Sequence, residues 1–458
     1  QEARSLFKIR HGGFPLWFIM TFWDIITAQR VLYQMRIHAQ QRQGQNTMSE
    51  TIIEVQLETM ANGGSALGRS GEQVVFIPYT IPGERVQARV LRQKGRTLFA
   101  EGVTLLESSA DRVFPACEHF GPARCGGCQW QHIQYEAQLL LKQDVLSDQL
   151  ERIAGLSDPP VQPFIPSPEV WGYNQQMTFY PAADGQLGLP AAKDDSVFAV
   201  QECLVLHPDL LALKDALDLE QFAGLEAITL VRGSDGGLMC VLRMQGDEAP
   251  ELQTDLPMSV NLLLSDGEPV NLIGDLHTVV QVGDHTFRLT AGGFIRANTA
   301  QLPHLAAAVL DALRLSGREQ VLDLYAGIGW LSAFIAPHAS HITLVEDDSA
   351  AVDDADFNLS HLDHVDIIEG RVEDVLPELD GAYDAALIDP PAEGLSAAAL
   401  DALVARHIPR LVYVSSDPAT LARDAKRLAA HQYRLTNIQP LDFAPQTFAI
   451  DCVAVFER

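Results

Sequence analysis

A chain of 458 residues with 47% hydrophobic content is long enough for several packed units, which excludes a disordered protein and a lone small domain. Its formal net charge of -28 repels polyanions over most of the surface, which argues against a general nucleic-acid coat and leaves room for one basic face. Six cysteines in this length make no disulfide framework, so a reduced, cytoplasmic compartment is expected.

Residues 1–47 read as foreign to the rest of the chain. "GGFPLWFIMTFWDIITA" is apolar, but Asp24 interrupts it and it is too short to span a bilayer, so no membrane partner is expected. Lys8 and Arg10 supply the basic start of a signal peptide without a clear small-residue cleavage site. Because Met48 precedes a cleanly alternating segment, residues 1–47 are expected to be an upstream extension, disordered or not native.

Residues 48–110 carry strand-length runs separated by NGG, RSGE, IPGE and QKGR turns, the pattern of a small five-stranded, OB-like barrel. Such barrels bind single-stranded nucleic acid on one sheet face, or serve as plain interaction modules. Arg85, Arg89, Arg92, Lys94 and Arg96 form a basic cluster for that face, unless they only solvate a surface strand.

Residues 111–298 form a central α/β segment that begins with a cysteine loop and a long amphipathic helix ending near Gly155; the rest mixes short strands with Pro- and Gly-rich turns and is expected to face the substrate. Cys117, Cys125, Cys128 and the distant Cys203 supply four thiolates, enough for a tetrahedral zinc or a [4Fe-4S] cluster. Zinc sites more often pair two CxxC units, whereas here one CxxC is joined by two single cysteines, which favours the cluster. Cys240, in the apolar run "GLMCVLRM", is a core residue.

Over residues 299–458, strands and helices alternate after the helix "HLAAAVLDALRLSG", which predicts a doubly wound, mainly parallel, Rossmann-like sheet with its ligand at the strand C-termini. In "VLDLYAGIGWLSAFIA" a strand enters a glycine turn and a helix, so that backbone approaches a ligand closely at Tyr325, Gly327 and Gly329. The strand "HITLVEDD" ends at Glu346, placed for ribose hydroxyls, and "YDAALIDPPAEGL" ends at Asp389 in a rigid Asp-Pro-Pro turn. A nicotinamide site also wants glycines and an acid about 20 residues on, but Ser332 stands at its third glycine position. S-adenosylmethionine has no pyrophosphate to cradle, so the shorter turn suits it better. The acidic run near Asp347 to Asp356 reads as a solvated helix face. In "LVYVSSDPATLARD" a buried strand leads through a polar turn into a helix, with Asp417 as N-cap and Pro418 in the first turn.

Together these segments resemble the RNA 5-methyluridine (uracil-C5) methyltransferase family, in its cluster-containing branch directed at 23S ribosomal RNA. The marks, in order, are the barrel with "IPGERV", similar to the family's TRAM domain, then "CGGCQWQHIQYEAQLLLK", "GGFIRAN", "DLYAGIG", "DPPAEGL", "YVSSDPATLARD" and "DFAPQTFAIDCVAVF". The resemblance implies an enzyme that uses S-adenosyl-L-methionine, keeps a structural cluster on the four cysteines, and acts as a monomer on RNA, with rRNA favoured over tRNA. It also implies a mechanism. A thiolate adds to uracil C6, C5 attacks the donor methyl, and a carboxylate removes the C5 proton.

The resemblance puts Ser416 in the nucleophile slot, where the family has cysteine, and Asp451 in the base slot, where it has glutamate. It puts Arg296 at a donor-contacting glutamine, Ala392 at an arginine, and Asn174 and Gln176 at RNA-contacting basic residues. Tyr325, Gly327, Gly329, Glu346 and Asp389 fit the donor pattern. A hydroxyl is a weak nucleophile without an adjacent base. The sequence therefore carries a methyltransferase reading, a catalytically silent relative that binds RNA, donor or both, and a redox sensor built on the cluster; the plain structural alternative is that Ser416 merely caps the following helix.

Overall fold

Burial alternates along β1 (Ile52–Met60), β2 (Ala66–Ser70), β3 (Gln73–Ile77), β4 (Arg85–Lys94) and β5 (Thr97–Glu107), as expected of strands with one face on a core. They close into a barrel in the order β1-β2-β3-β5-β4, around Val55, Leu57, Val75, Ile77, Val86, Ala88 and Leu98. The computed structural model describes residues 51–192, 194, 196–217, 224–250 and 255–458, so the expected extension over 1–47 lies outside them.

The long helix predicted after the cysteine loop is α1 (Tyr135–Gln149); it continues as a wide turn over 150–154 and stops at Gly155, which takes the left-handed conformation at φ 74°. One face of α1 is tied to the segment leading into the last strand. Lys142, fully buried, donates to Asp442 Oδ1 at 2.7 Å and to the Ala444 carbonyl at 3.1 Å. Gln138 and Gln446 exchange two hydrogen bonds, at 3.0 and 2.9 Å, and the backbone N–H groups of Gln129 and Trp130 both donate to the Gln446 carbonyl. The turn that directly follows Cys128 is thus bonded to the loop 442–447.

The central sheet has β6 (Gln176–Pro181), β7 (Leu187–Pro190), β8 (Val197–Ala199), β9 (Leu225–Arg232), β10 (Leu238–Met244), β11 (Met258–Leu263) and β12 (Pro269–Ile273), in the order β12-β11-β10-β9-β6-β7-β8. Helix α2 (Pro208–Ala216) covers it, and Cys240 lies fully buried in its core. A hairpin, β13 (His277–Val282) and β14 (His285–Thr290), then turns its apolar side chains Val280, Val282, Phe287 and Leu289 into the core of the C-terminal unit.

That unit holds α3 (Leu302–Leu313), β15 (Gln320–Leu324), α4 (Trp330–Ile335), β16 (His341–Glu346), α5 (Ser349–Leu359), β17 (Val365–Glu369), α6 (Val372–Val375), β18 (Ala385–Ile388), α7 (Ala397–Ala405), β19 (Arg410–Ser415), α8 (Pro418–Ala430), β20 (Arg434–Leu441) and β21 (Asp451–Glu457). The strand order β17-β16-β15-β18-β19-β21-β20 is parallel through β19, and β21 runs antiparallel to both neighbours. Side chains alternate between two cores. Leu322, Ile388, Tyr413 and Cys452 face the core shared with the barrel, α1, α7 and α8, while Val321, Leu387, Val414 and Val453 face α3, α4, α5 and the hairpin. Part of the acidic run is not a solvated face, because Asp354 of α5 is buried and receives Arg288 at 2.6 Å and the Thr290 N–H at 2.6 Å. Among the described residues no helix is long and apolar enough to cross a membrane.

Candidate active site

The carboxyl ends of β15, β16, β18 and β19 meet along one edge, and nearly every residue singled out in the C-terminal unit lies on it. Leu324 pairs with both Val345 and Ile388, so the turn at Tyr325 lies between Glu346 and Asp389. Positive φ at Tyr325 (59°), Gly327 (55°) and Gly329 (74°) makes the turn tight. Gly329 has no room for a side chain, since a Cβ there would lie 2.7 Å from Leu359 Cδ1. Gly327 instead supplies its N–H, which donates to Glu346 Oε2 at 2.7 Å, while Oε1 accepts from Asp347 and Asp348 at 2.9 Å each. A carboxylate has about four acceptor positions, so Glu346 keeps capacity for a ribose hydroxyl. Burial pushes its pKa up to about 7, against those N–H bonds.

Trp330 points away from this edge into the second core, edge-on to Phe334 at 6.2 Å. Behind the turn, Asp323 is 1% exposed and accepts from Ser332 Oγ at 2.6 Å, and burial lifts its pKa to about 7. Sequence reasoning met Ser332 only as a missing glycine and did not find this pair.

Arg296 decides the electrostatics. It stands on the loop between β14 and α3, is 7% exposed, and its fork meets Asp389 through Nη1 to Oδ2 at 2.8 Å and Nη2 to Oδ1 at 2.9 Å. Its Nε donates to Asp451 Oδ1 at 3.1 Å, and its guanidinium lies 5.5 Å from the Phe443 ring. Burial alone would lower the pKa of Arg296, but the two carboxylates overcome this and hold the cation. Asp451, 2% exposed, is pushed by burial up to about 6, with Arg296 opposing. Its other oxygen, Oδ2, is buried with no hydrogen-bond partner among the described residues, beside a small cavity that Asn174 and Asn298 also line. Asn174 is 4% exposed, so it belongs to this interior and not to an RNA-facing surface.

Ser415 pairs with Cys452 across the β19–β21 ladder, so the next step brings Ser416 opposite Asp451. The nucleophile and base slots therefore adjoin. The helix cap is Asp417, which accepts from Ala419 and Thr420 at 2.9 and 2.8 Å. Ser416, half-buried, is not the cap, and its hydroxyl finds no hydrogen-bond partner among the described residues. Cys452 faces the opposite core, with burial holding its thiol neutral.

Cys117, Cys125, Cys128 and Cys203 line one small pocket with His119 and Gln131, far along the chain from the sheet edge, and none of them forms a disulfide among the described residues. Burial raises the Cys117, Cys128 and Cys203 pKa values, that of Cys203 to about 12, and the neighbouring thiols add to the rise at Cys128 and Cys203. Among the described residues no three His, Cys, Asp or Glu side chains stand close enough to hold a single metal ion.

The basic cluster of the barrel is largely neutralised from within. Arg85 pairs with Glu54 and Glu107, Arg89 meets Glu101 at 3.0 Å, and Arg96 lies 3.6 Å from Glu72. Arg92 instead stacks on Phe99 at 4.3 Å, and Phe99 stacks on Phe76 at 5.6 Å.

A closed barrel followed by a doubly wound sheet with an antiparallel last strand and a glycine-turn crevice defines the methyltransferase class of α/β fold. Residues 299–409 match the Methyltransferase small domain and residues 47–103 the TRAM domain. An uncharacterized RNA methyltransferase of Streptomyces avermitilis is 31% identical over 424 residues, spanning 88% of this chain and 98% of that protein. One from Streptomyces coelicolor is 32% identical over 444 residues, spanning 92% and 97%. The tRNA (uracil-54, C5)-methyltransferase of Pyrococcus abyssi, solved with S-adenosyl-L-homocysteine, superposes with a TM-score of 0.69 at 21% identity, over 88% of this chain and 100% of that one, and so shares the fold. The chain belongs to the TRAM-bearing RNA 5-methyluridine methyltransferase family.

Proposed function

We propose that the protein is an S-adenosylmethionine-dependent RNA methyltransferase of the uracil-C5 type, acting as a cytoplasmic monomer on ribosomal RNA. The observation that carries this reading is the convergence of Glu346, the 325–329 turn, Asp389, Ser416 and Asp451 on one sheet edge. S-adenosylmethionine, when bound, supplies an electrophilic methyl group. Glu346 holds the ribose, Ser416 stands where a nucleophile adds to C6 of the base, and Asp451 stands where the C5 proton is taken. An aspartate with a pKa of about 6 is ionised at neutral pH yet basic enough to accept that proton.

Two observations favour a second reading, a relative that binds RNA and donor without turnover. The Ser416 hydroxyl has no base bonded to it among the described residues, and Asp451 is occupied by Arg296. Incubation of the protein with methyl-labelled donor and total RNA separates them. Label at C5 of rRNA uridines supports the enzyme. Label confined to tRNA overturns the rRNA assignment. Label only in Ser416→Cys supports the silent relative, and none in either protein overturns uracil-C5 chemistry altogether.

The thiol pocket suits a [4Fe-4S] cluster better than zinc. What supports this reading is that one CxxC and two single cysteines line one pocket, with neighbouring thiols adding to the raised pKa of Cys128 and Cys203. Cys117, Cys125, Cys128 and Cys203 would hold it, and it would tie the cysteine loop to the central sheet. The Phe76, Phe99 and Arg92 stack is the part of the barrel suited to single-stranded bases, since stacking does not need the paired arginines.

A further inference from the structure

We infer that a single buried water molecule ties Asp451 to Asn174 and Asn298, and that these two asparagines are positioning residues for that carboxylate. The inference rests on the packing around Asp451 and holds whether or not the protein turns over. Asn174, just before β6, and Asn298, on the loop between β14 and α3, stand opposite each other as an antiparallel bridge pair, so their side chains leave the backbone on the same side. The Gln175 N–H to the Ala297 carbonyl holds that pairing at 2.9 Å, and the Asn174 N–H to the Val205 carbonyl holds the other flank at 2.9 Å. Both asparagines line a cavity of about 20 Å³ together with Asp451, Tyr173 and Phe443.

Three polar atoms of this lining have no hydrogen-bond partner among the described residues: Asn174 Nδ2, Asn298 Oδ1 and Asp451 Oδ2. Their residues are 4%, 1% and 2% exposed, so bulk water does not serve them, and buried polar atoms left bare are costly. The chemistry of two of them is fixed by what their neighbours do. Asn298 Nδ2 donates to Ser167 Oγ at 2.9 Å and to the Phe443 carbonyl at 3.1 Å, while Ser167 Oγ spends its own proton on the Glu169 carbonyl at 2.6 Å. Ser167 can therefore only accept from Asn298, which leaves Asn298 Oδ1 as an acceptor. Asp451 Oδ1 is taken by Arg296 Nε at 3.1 Å, which leaves Oδ2.

The cavity thus offers two acceptors and one donor, in a volume that suits one water. A water satisfies all three, donating to Asp451 Oδ2 and to Asn298 Oδ1 and accepting from Asn174 Nδ2. A metal cation has nothing to accept from Asn174 and would sit beside the Arg296 guanidinium. The water also serves both states of Asp451. When Oδ2 is protonated, the water turns to accept from it and keeps its bond to Asn298. Its bond to the ionised form is charge-assisted and the stronger of the two, so the water favours the carboxylate. The other charged groups that face Asp451 are Arg296, Asp389 and, from α1, Lys142, and none of them bonds to Oδ2.

NMR titration of the full chain carrying labelled aspartate carboxyl carbons reads the Asp451 midpoint, with Asp451→Asn identifying its resonance. Asn174→Leu withdraws the donor and puts apolar atoms into the cavity, and the midpoint should rise by about one unit, a tenfold change in proton affinity. Asn174→Ser keeps a small donor for the water and should stay close to the wild-type midpoint. An unchanged midpoint in Asn174→Leu overturns the inference, and so does an equal rise in Asn174→Ser, which would assign the effect to packing. If Asn174→Leu does not fold, diffraction from crystals of the wild-type protein decides. Density for one water bonded to all three side chains is expected, and a dry cavity overturns the inference.

Discussion

Asp323, Glu346 and Asp451 are all held above the ordinary carboxylate range by burial at one sheet edge. For Asp323, with a folded pKa of about 7 against about 3.9 for a free side chain, the native state keeps a proton that the unfolded chain releases between those values. Stability from this group is present below about pH 4 and is lost as the pH rises toward 7. Asp323→Asn keeps a partner for Ser332 and removes the titration. Urea unfolding at pH 5 and pH 7 should show a drop in stability smaller by about 2 kcal/mol than in the wild type, and an unchanged drop would refute the assignment. At this scale the sequence placed residues at the strand ends and the turn without revealing how they pair. Glu346, Asp389 and the glycines are legible from strand ends and turn chemistry. Arg296 binds partners 93 and 155 residues away, and no local pattern encodes such a contact. Asp417 is legible as the cap from its place before Pro418, and the geometry bears it out against the alternative of Ser416, which residue type alone also allows.

Helix α1 was readable from its apolar pattern and its glycine stop, and the barrel from its turns. What the pattern concealed is that one face of α1 is polar and fully buried, with Gln138 and Lys142 at 0% exposure. Lys142 replaces water with Asp442 and a carbonyl, an arrangement that is costly to break on one side only. Lys142→Met should lower stability by about 3–5 kcal/mol in urea unfolding, and the double change with Asp442→Leu should recover much of the loss. Additive losses would show that the two side chains act independently. The hairpin of β13 and β14 is a second case. Its strands are visible in sequence, but its attachment to α5 depends on Asp354, which looked like one more acid in a solvated run.

Across the whole molecule, the charge of -28 and the paired arginines of the barrel point the same way. On the proposed reading of the barrel as an RNA grip, phosphate attraction contributes little and stacking together with shape supplies more of the affinity. The barrel and the doubly wound sheet were legible because each has its own periodicity and turn residues, whereas the seven-stranded central sheet read only as mixed short strands. The mutual attachment of these units was not legible, since it runs through side-chain amides and carbonyls that carry no periodic signal. One attachment has mechanical reach. The Gln446 carbonyl takes the N–H groups immediately after Cys128, and five residues further on the chain delivers Asp451. Slack introduced at the thiols therefore travels to Asp451 without any ligand crossing the distance. Alkylating the cysteines with iodoacetamide should speed hydrogen–deuterium exchange at residues 446–451 while leaving the far strand β17 unaffected, and equal protection in both segments would show that the two ends of the molecule are insulated from each other.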